Sequence, residues 1–399
     1  MILTINCGSS TLKYQLFTSD VAQVVAKGMI SRIGEDGSYF EQAAHGRSVK
    51  ESATIPNHHK AFEICIQSLL HPDYGAIHDM NEIEAVGHRA VHGADLFIAS
   101  TRIDDEVIAK MEACVPLAPL HNPPNLIGIR EAQALLPNVP HVAVFDTAFN
   151  QTMPPKAYIY ALPYSFYEEH KIRKYGFHGT SVRFVSQRAA EVLQRPLSNL
   201  KMVVLHLGNG VTMTAVDGGQ AVDTTIGFAT FSGVMMGTRS GDIDPGLIFH
   251  MHRELGLSPD EIERIVYKES GLLGVSGISN DMRVIAEQAQ AGNQRCQLAM
   301  DKFAFMAKKY LGAFAAAMGG LDCVVFTAGI GENSPIIRQM ICQDLAFLGI
   351  SLDEAKNQQA VGGKAEVVIS EVAAGTAVLV IPTNEEKMIA LDTKEIAGL

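Results

Sequence analysis

Three short glycine-rich segments, Cys7-Gly8-Ser9-Ser10, Gly208-Asn209-Gly210 and Gly329-Ile330-Gly331-Glu332-Asn333, each follow an apolar, β-branched run. Glycine lets a backbone approach a ligand closely, and successive N–H groups at a turn or helix start suit phosphate oxygens. Neither a Walker A sequence nor G-x-G-x-x-G is present, so neither a P-loop nucleotidase nor a dinucleotide-binding dehydrogenase is indicated. Beside these turns stand Gly87-His88-Arg89-Ala90-Val91-His92-Gly93, Gly176-Phe177-His178-Gly179-Thr180 and Gly237-Thr238-Arg239-Ser240-Gly241-Asp242. An arginine between glycines is held in order when its planar fork meets a carboxylate or a phosphate; otherwise it is a surface arginine in a turn. His88 and His92 have the spacing of a zinc helix, but arginine stands where that motif has glutamate and the context is a strand, which favours structural histidines. Two acids complete the set: Asp146 closes the run Val142-Ala143-Val144-Phe145, and Glu385 follows Ala377 to Ile381. A carboxylate at the end of a buried strand sits where open α/β sheets bind ligands, and magnesium with a nucleotide needs only one or two. The other reading of both acids is a helix N-cap.

These residues need elements to place them. Strands are expected at Ile2 to Asn6, Thr11 to Phe17 and Val21 to Met29, and the same layout returns at Met202 to Leu207, Val211 to Val216 and Gln220 to Thr225. Further strands, 139–145 and 321–327, end in Asp146 and in the third glycine turn. Helix signals include Asn122-Pro123 with a stop at Pro137, a capping box at Ser258-Pro259-Asp260-Glu261, and one apolar face through Ala299, Phe303, Met306, Tyr310 and Phe314 up to Gly319-Gly320. Strands mixed with helices and a repeated hairpin start predict an α/β chain of two similar halves, with a boundary between Asp146 and Pro155.

Composition bounds the rest. The chain has 399 residues, 32 basic and 43 acidic, for a formal charge of −11, with 47% hydrophobic and 19% charged residues. That balance builds buried cores rather than a disordered chain, and the length suggests two domains. An acidic chain without a basic block lacks the footprint of a nucleic-acid binder. Six scattered cysteines without a C-x-x-C pair speak against a disulfide framework or a structural zinc site. No membrane span and no secretory leader are expected, which points to the cytoplasm.

The sequence resembles the acetate kinase family over essentially its whole length. The resemblance is carried by Asn6 to Lys13, Gly87-His88-Arg89 with Val91-His92-Gly93, Leu117 to Asn122, Phe145 to Phe149, Tyr175 to Thr180, His206 to Gly210, Met235 to Asp242, Gly329 to Asn333 and Thr383 to Glu386. It implies a duplicated ribonuclease-H-like fold of the actin, Hsp70 and sugar-kinase superfamily, with a central cleft. Domains would span 1–148 and 149–384, the second binding nucleotide, and 385–399 would return to the first. The activity implied is reversible, ATP-dependent phosphorylation of acetate to acetyl phosphate by a cytoplasmic homodimer, with no nucleic-acid or membrane partner. Magnesium, or manganese in its place, would be the cofactor and ATP or ADP the co-substrate.

By the same resemblance, Asn6 and Glu385 lie at the metal, Arg89 and Arg239 hold the carboxylate and the transferring phosphoryl group, His178 stabilises the transition state, and Asp146 is the family's acid/base residue. Nucleotide contacts would come from Lys13, from His206, Leu207, Gly208, Asn209 and Gly210, from Asp281, Met282 and Arg283, and from Gly329, Ile330, Gly331, Glu332 and Asn333. Val91, Leu120, His121, Phe177 and Thr230 would contact the acid. Acetate is already ionised at neutral pH, so Asp146 is expected to orient Arg89 or metal-bound water rather than to remove a proton. Two positions depart from the family pattern: Thr11 replaces a serine, and Thr230 stands where a proline normally walls the acyl pocket. Propionate or butyrate as preferred acid, and an actin- or Hsp70-like ATP-driven switch, are the alternative readings.

Overall fold

The computed structural model describes residues 1–363 and 366–399. The chain divides into two compact units, Met1–Phe149 with Asn384–Leu399, and Asn150–Thr383.

Unit 1 is built on β1 (Ile2–Cys7), β2 (Thr11–Phe17), β3 (Val24–Ser31), β4 (Tyr39–Ala44), β5 (Arg47–Ser52), β6 (Ala85–Ala90), β7 (Thr101–Arg102) and β8 (His141–Phe145), in the order β5-β4-β3-β2-β1-β6-β8-β7. The meander from β1 to β5 is antiparallel, whereas β1, β6 and β8 run parallel. The third strand begins at Val24, not Val21, because Val21 has φ 61° and sits in a turn closed onto the Thr18 carbonyl. β8 is apolar throughout because both its faces are covered. Ala143 and Phe145 pack with Leu126 and Ile129 of the helix Asn122–Leu135, and Val142 and Val144 meet Ile389 of the C-terminal helix Glu385–Ala397. Gly87 lets that helix lie close: a Cβ there would collide with Thr393 Oγ1 and Ile389 Cγ2. The final helix is thereby seated against the strand that carries Arg89.

Two buried histidines join β6 to β8. His141 Nε2 donates to the Leu136 carbonyl at 3.0 Å, so its Nδ1 accepts from His88 Nε2, also at 3.0 Å. Burial holds both rings below the usual histidine range, His88 well below it, and pushes His92 down to about 4. An unfolded histidine titrates near ~6.5, so below that pH the unfolded chain takes up protons that the folded one refuses. Stability is expected to fall as pH drops from about 6.5, by up to about 1.4 kcal/mol per pH unit for each such group. Urea midpoints measured between about pH 7.5 and 5 check this, and a midpoint that rises on acidification contradicts it.

Unit 2 contains β9 (Lys201–Leu207), β10 (Val211–Asp217), β11 (Gln220–Thr224), β12 (Cys323–Thr327), β13 (Val367–Val368) and β14 (Ala377–Val380), ordered β11-β10-β9-β12-β14-β13. Its first five positions repeat β3-β2-β1-β6-β8 of unit 1: two antiparallel pairings, then two parallel ones. The ribonuclease-H-like arrangement therefore occurs twice. The helix Gln294–Met318 is capped by Asn293, buries Ala299, Phe303, Met306 and Phe314, and ends at Gly319 with φ +66°. Tyr310, expected on the same face, is only half-buried. Gly329 to Asn333, read from sequence as a turn, instead belongs to a short helix, Ala328–Asn333. Glu332 explains the difference, since its Oε1 accepts from the Ala328 N–H at 2.8 Å and closes that turn. Among the described residues, no helix is long and apolar enough to cross a membrane.

Candidate active site

The parallel pairing of β1, β6 and β8 aligns their C-terminal ends, and with them Asn6, Arg89 and Asp146. Arg89 grips Asp146 through Nη2 to Oδ2 at 2.6 Å and through Nε to Oδ1 and Oδ2 at 3.1 and 3.2 Å. Its Nη1 reaches Asn6 Oδ1 at 3.5 Å, and Glu385 Oε2 lies 3.9 Å from Nε. Asp146 is thus not a helix cap, and Asn384 rather than Glu385 caps the final helix. Burial alone would lower the pKa of Arg89, but Asp146 and Glu385 outweigh it and keep the guanidinium charged. Burial pushes the Glu385 carboxyl up to about 7; Arg89 and Lys13 pull against that, while Asp146 and Glu386 add to it. Lys13 faces Asn6 across the β1–β2 pair. Three oxygen-bearing side chains therefore gather around one guanidinium, and burial disfavours the ionised form of Glu385.

The remaining unit 1 candidates flank this cluster in sequence. Val91 donates its N–H to Asn125 Oδ1 at 3.0 Å, His121 precedes the helix Asn122–Leu135, and Leu120 is 69% exposed. His88 bonds His141 rather than joining His92, whose Nδ1 accepts from the Ala94 N–H.

In unit 2 three segments distant in sequence line one cavity of about 780 Å³: Gly208 and Asn209, Asp281 to Arg283, and Gly329, Ile330 and Asn333. Asn280, Ala286 and the stretch Ser334 to Ile336 complete its wall and went unnoticed in the sequence. Asp281 caps the helix Met282–Gln290 and pairs with Arg283 at 2.6 Å. His206, Leu207, Gly210, Gly331 and Glu332 do not line the cavity. Glu332 Oε1 is engaged by the N–H groups of Ala328 and Thr383, at 2.8 and 3.1 Å. Leu207 is buried within β9.

His178 stands at φ 56° before the helix Gly179–Leu193, its ring stacked on His206 at 4.2 Å between centroids. Thr212 Oγ1 meets His178 Nδ1 at 2.7 Å, while Ser181 Oγ meets His206 Nδ1 at 2.8 Å and Thr383 Oγ1 at 2.7 Å. Gly210 leaves room for this ring, since a Cβ there would come within 3.3 Å of His178 Cε1. Phe177 is buried beside it in sequence. Thr212 and Ser181 were missed by sequence reasoning; the signal available was only that Thr212 lies on a strand just after Gly210.

Arg239 differs from Arg89. Its Nη1 donates to the Thr230 carbonyl at 2.8 Å and approaches Met236 Sδ at 3.8 Å. Among the described residues no carboxylate lies within ion-pair distance of it. Burial lowers its pKa, with Tyr267 opposing. A half-buried, fork-shaped cation paired with a carbonyl and a thioether rather than a counter-charge is suited to bind an anion.

Comparisons with known proteins agree with one another. A sequence profile of the Acetokinase family matches residues 1–391. The chain is 52% identical over 397 residues to an acetate kinase of Caldanaerobacter subterraneus subsp. tengcongensis, covering 99% of this chain and 98% of that one. It is 50% identical over 396 residues to one of Desulfitobacterium hafniense, with the same coverages. Among solved structures, Porphyromonas gingivalis acetate kinase superposes with a TM-score of 0.95 at 45% identity, covering 99% of each chain. A propionate kinase of Francisella tularensis gives 0.92 at 38% identity, also covering 99% of each.

Proposed function

The chain belongs to the acetokinase family, and from that premise we propose that it reversibly transfers a phosphoryl group from ATP to acetate, giving acetyl phosphate, by direct in-line displacement. The observation that carries this reading is Arg239, a half-buried guanidinium with no carboxylate in reach among the described residues. A loose phosphoryl-transfer transition state spreads charge over three equatorial oxygens, so positioned cations and donors supply most of the catalysis. In this reading Arg239 and Arg89 hold the acid and the transferring group, and His178 donates to it. This requires the tautomer in which Thr212 donates to His178 Nδ1 and Nε2 carries the proton. Acetate attacks as the carboxylate it already is at neutral pH, and no base is required. Asp146 then serves to aim Arg89.

The nucleotide would occupy the 780 Å³ cavity, whose walls include Gly208, Asn209, Asp281 to Arg283, Gly329, Ile330 and Asn333 among the residues the family resemblance assigns to it. A magnesium ion suits the Asn6 and Glu385 oxygens: both are hard donors, and a cation there would offset the burial that disfavours the Glu385 carboxylate. When bound, magnesium neutralises charge on the phosphate oxygens. Manganese shares this oxygen preference.

Val91, Leu120, His121, Phe177 and Thr230 are the proposed contacts to the acid. One methylene in such a pocket is worth only ~1–3 kcal/mol, so propionate is the competing substrate. The reading also takes the enzyme to be cytoplasmic and homodimeric. The helix Pro245–Arg253 buries none of its residues and exposes Leu247 and Phe249, which supports a second copy as a partner. A monomer by light scattering would remove that part.

The test is acyl-phosphate formation from magnesium-ATP, trapped with hydroxylamine, using acetate, propionate and butyrate in parallel. The highest kcat/KM is expected for acetate. Preference for a longer acid keeps the chemistry and changes the substrate, whereas ATP hydrolysis without any acyl phosphate favours an ATP-driven switch.

A further inference from the structure

We infer that Tyr267, presented by the single π-helical turn Ile265–Glu269, is a positioning residue that fixes Arg239 relative to the acid-contacting segment around Thr230. The inference rests on the reading of Arg239 given above. The segment Thr238-Arg239-Ser240 lies between two glycines and outside any helix or strand, and Gly241 has φ +68°. Such a stretch cannot by itself immobilise a long cationic side chain, because the entropy of ordering it must be offset by contacts from elsewhere. Here the contacts come from the π turn. Thr238 Oγ1 donates to the Tyr267 carbonyl at 2.9 Å, the Ser240 N–H donates to the Val266 carbonyl at 2.9 Å, and the Ser270 N–H donates to the Thr238 carbonyl at 3.0 Å.

The turn type matters. An α-helix commits each carbonyl to the N–H four residues ahead, whereas a π turn shifts that register, and such turns recur at functional sites. Here two consecutive carbonyls, of Val266 and Tyr267, face the arginine segment. The ring of Tyr267 then reaches the other side of the same loop: it stands edge-on to Phe231, with centroids 5.2 Å apart and planes at 70°, and Thr230 beside its hydroxyl opposes the rise in pKa that burial imposes. The Thr230 carbonyl in turn accepts Arg239 Nη1 at 2.8 Å. Main chain and ring of one residue thus tie the two segments, 230–231 and 238–240, into a single rigid frame. A second clamp closes the loop behind them, as the Gly233 N–H donates to Asp242 Oδ1 and the Asp242 N–H to the Gly233 carbonyl, each at 2.8 Å.

None of these contacts involves residues that line the nucleotide cavity. A positioning role therefore predicts a split that a merely structural one does not. Replacing Tyr267 by alanine is expected to raise KM for the best acid and lower kcat, together about 10²-fold in kcat/KM, while KM for ATP stays within about twofold. Tyr267→Phe, which keeps the ring on Phe231 and loses the hydroxyl, should restore most of that loss yet shift the acetate-to-propionate ratio. Thr238→Val removes the donor to the Tyr267 carbonyl without changing shape, and should move the acid parameters in the same direction by about tenfold; it keeps the inference testable if the alanine variant does not fold. Wild-type protein assayed alongside separates the two levels: wild type without acyl-phosphate formation overturns the functional reading itself. An active wild type, with Tyr267→Phe and Thr238→Val both unchanged toward acetate and propionate, or with acid and ATP parameters altered equally, overturns the positioning role.

Discussion

Arg239→Ala is expected to lower acyl-phosphate formation by about 10³-fold or more while leaving the thermal midpoint unchanged or slightly raised. The two halves of this result have one cause. The guanidinium has lost much of its water to burial and has gained a carbonyl and a thioether, not a counter-charge. In the resting protein it is an incompletely compensated cation, and removing such a group relieves a desolvation cost. On the proposed role, the same group meets developing charge on the phosphoryl oxygens in the transition state, where a forked donor is most effective. Arg239→Lys keeps a charge but not the planar fork, and should remain about 10- to 100-fold below wild type. Hydroxylamine trapping and a melting curve on each variant check this. An alanine variant retaining more than about a tenth of the wild-type rate, or one whose midpoint drops by about 10 °C, would contradict the argument.

Asp146→Asn is the second large effect, and here activity and stability should fall together. Asp146 is buried and receives three short contacts from Arg89, so the substitution leaves a guanidinium with half of its bidentate partner. Leaving a charge-assisted pair incomplete costs about 1–3 kcal/mol, limited in this case because Glu385 lies 3.9 Å from Arg89 and can take up the charge. On the proposed role, that same re-pairing would turn Arg89 away from the acid. A loss of about 10²-fold in kcat is expected, since small misplacements of an orienting group cost that much. The shape of the pH–rate profile discriminates between roles. If Asp146 aims Arg89, the variant is slower at every pH with its profile otherwise intact; if Asp146 moved a proton, an ionisation would vanish from the profile.

These two arginines also show how far the sequence could be read. Both were conspicuous as arginines between glycines, and the expectation that such a fork meets a carboxylate or a phosphate held for Arg89, which found Asp146 57 positions away. For Arg239 the absence of any carboxylate became visible only when the chain was folded. The histidines divide in the same way. Zinc was set aside from the motif alone, but that His88 would spend its Nε2 on His141 could not be read from either segment. The hairpin starts and the capping box at Ser258 and Glu261 were legible. Gly329 to Asn333 was misread because a glycine-rich stretch gives no periodic signal, and its helical turn depends on where the Glu332 side chain lands.

The π turn at Ile265–Glu269 lies beyond sequence reading for a related reason. One extra residue in a helical turn barely disturbs the apolar period, and what selects it here is the donors that Thr238 and Ser240 bring from another part of the chain.

What the sequence determined by itself was local: which stretches become strands, where helices are capped, where glycine permits a turn, and which residue types are able to bind anions. These follow from interactions between near neighbours in the chain and from the long ordered run of family motifs. What only the tertiary structure decided was which charge meets which. Asn6 reaches Arg89 across 83 positions, and Ser181 reaches Thr383 across 202. The strength of a charge or a hydrogen bond depends on separation and on burial, and both are fixed only when distant strand ends are brought side by side.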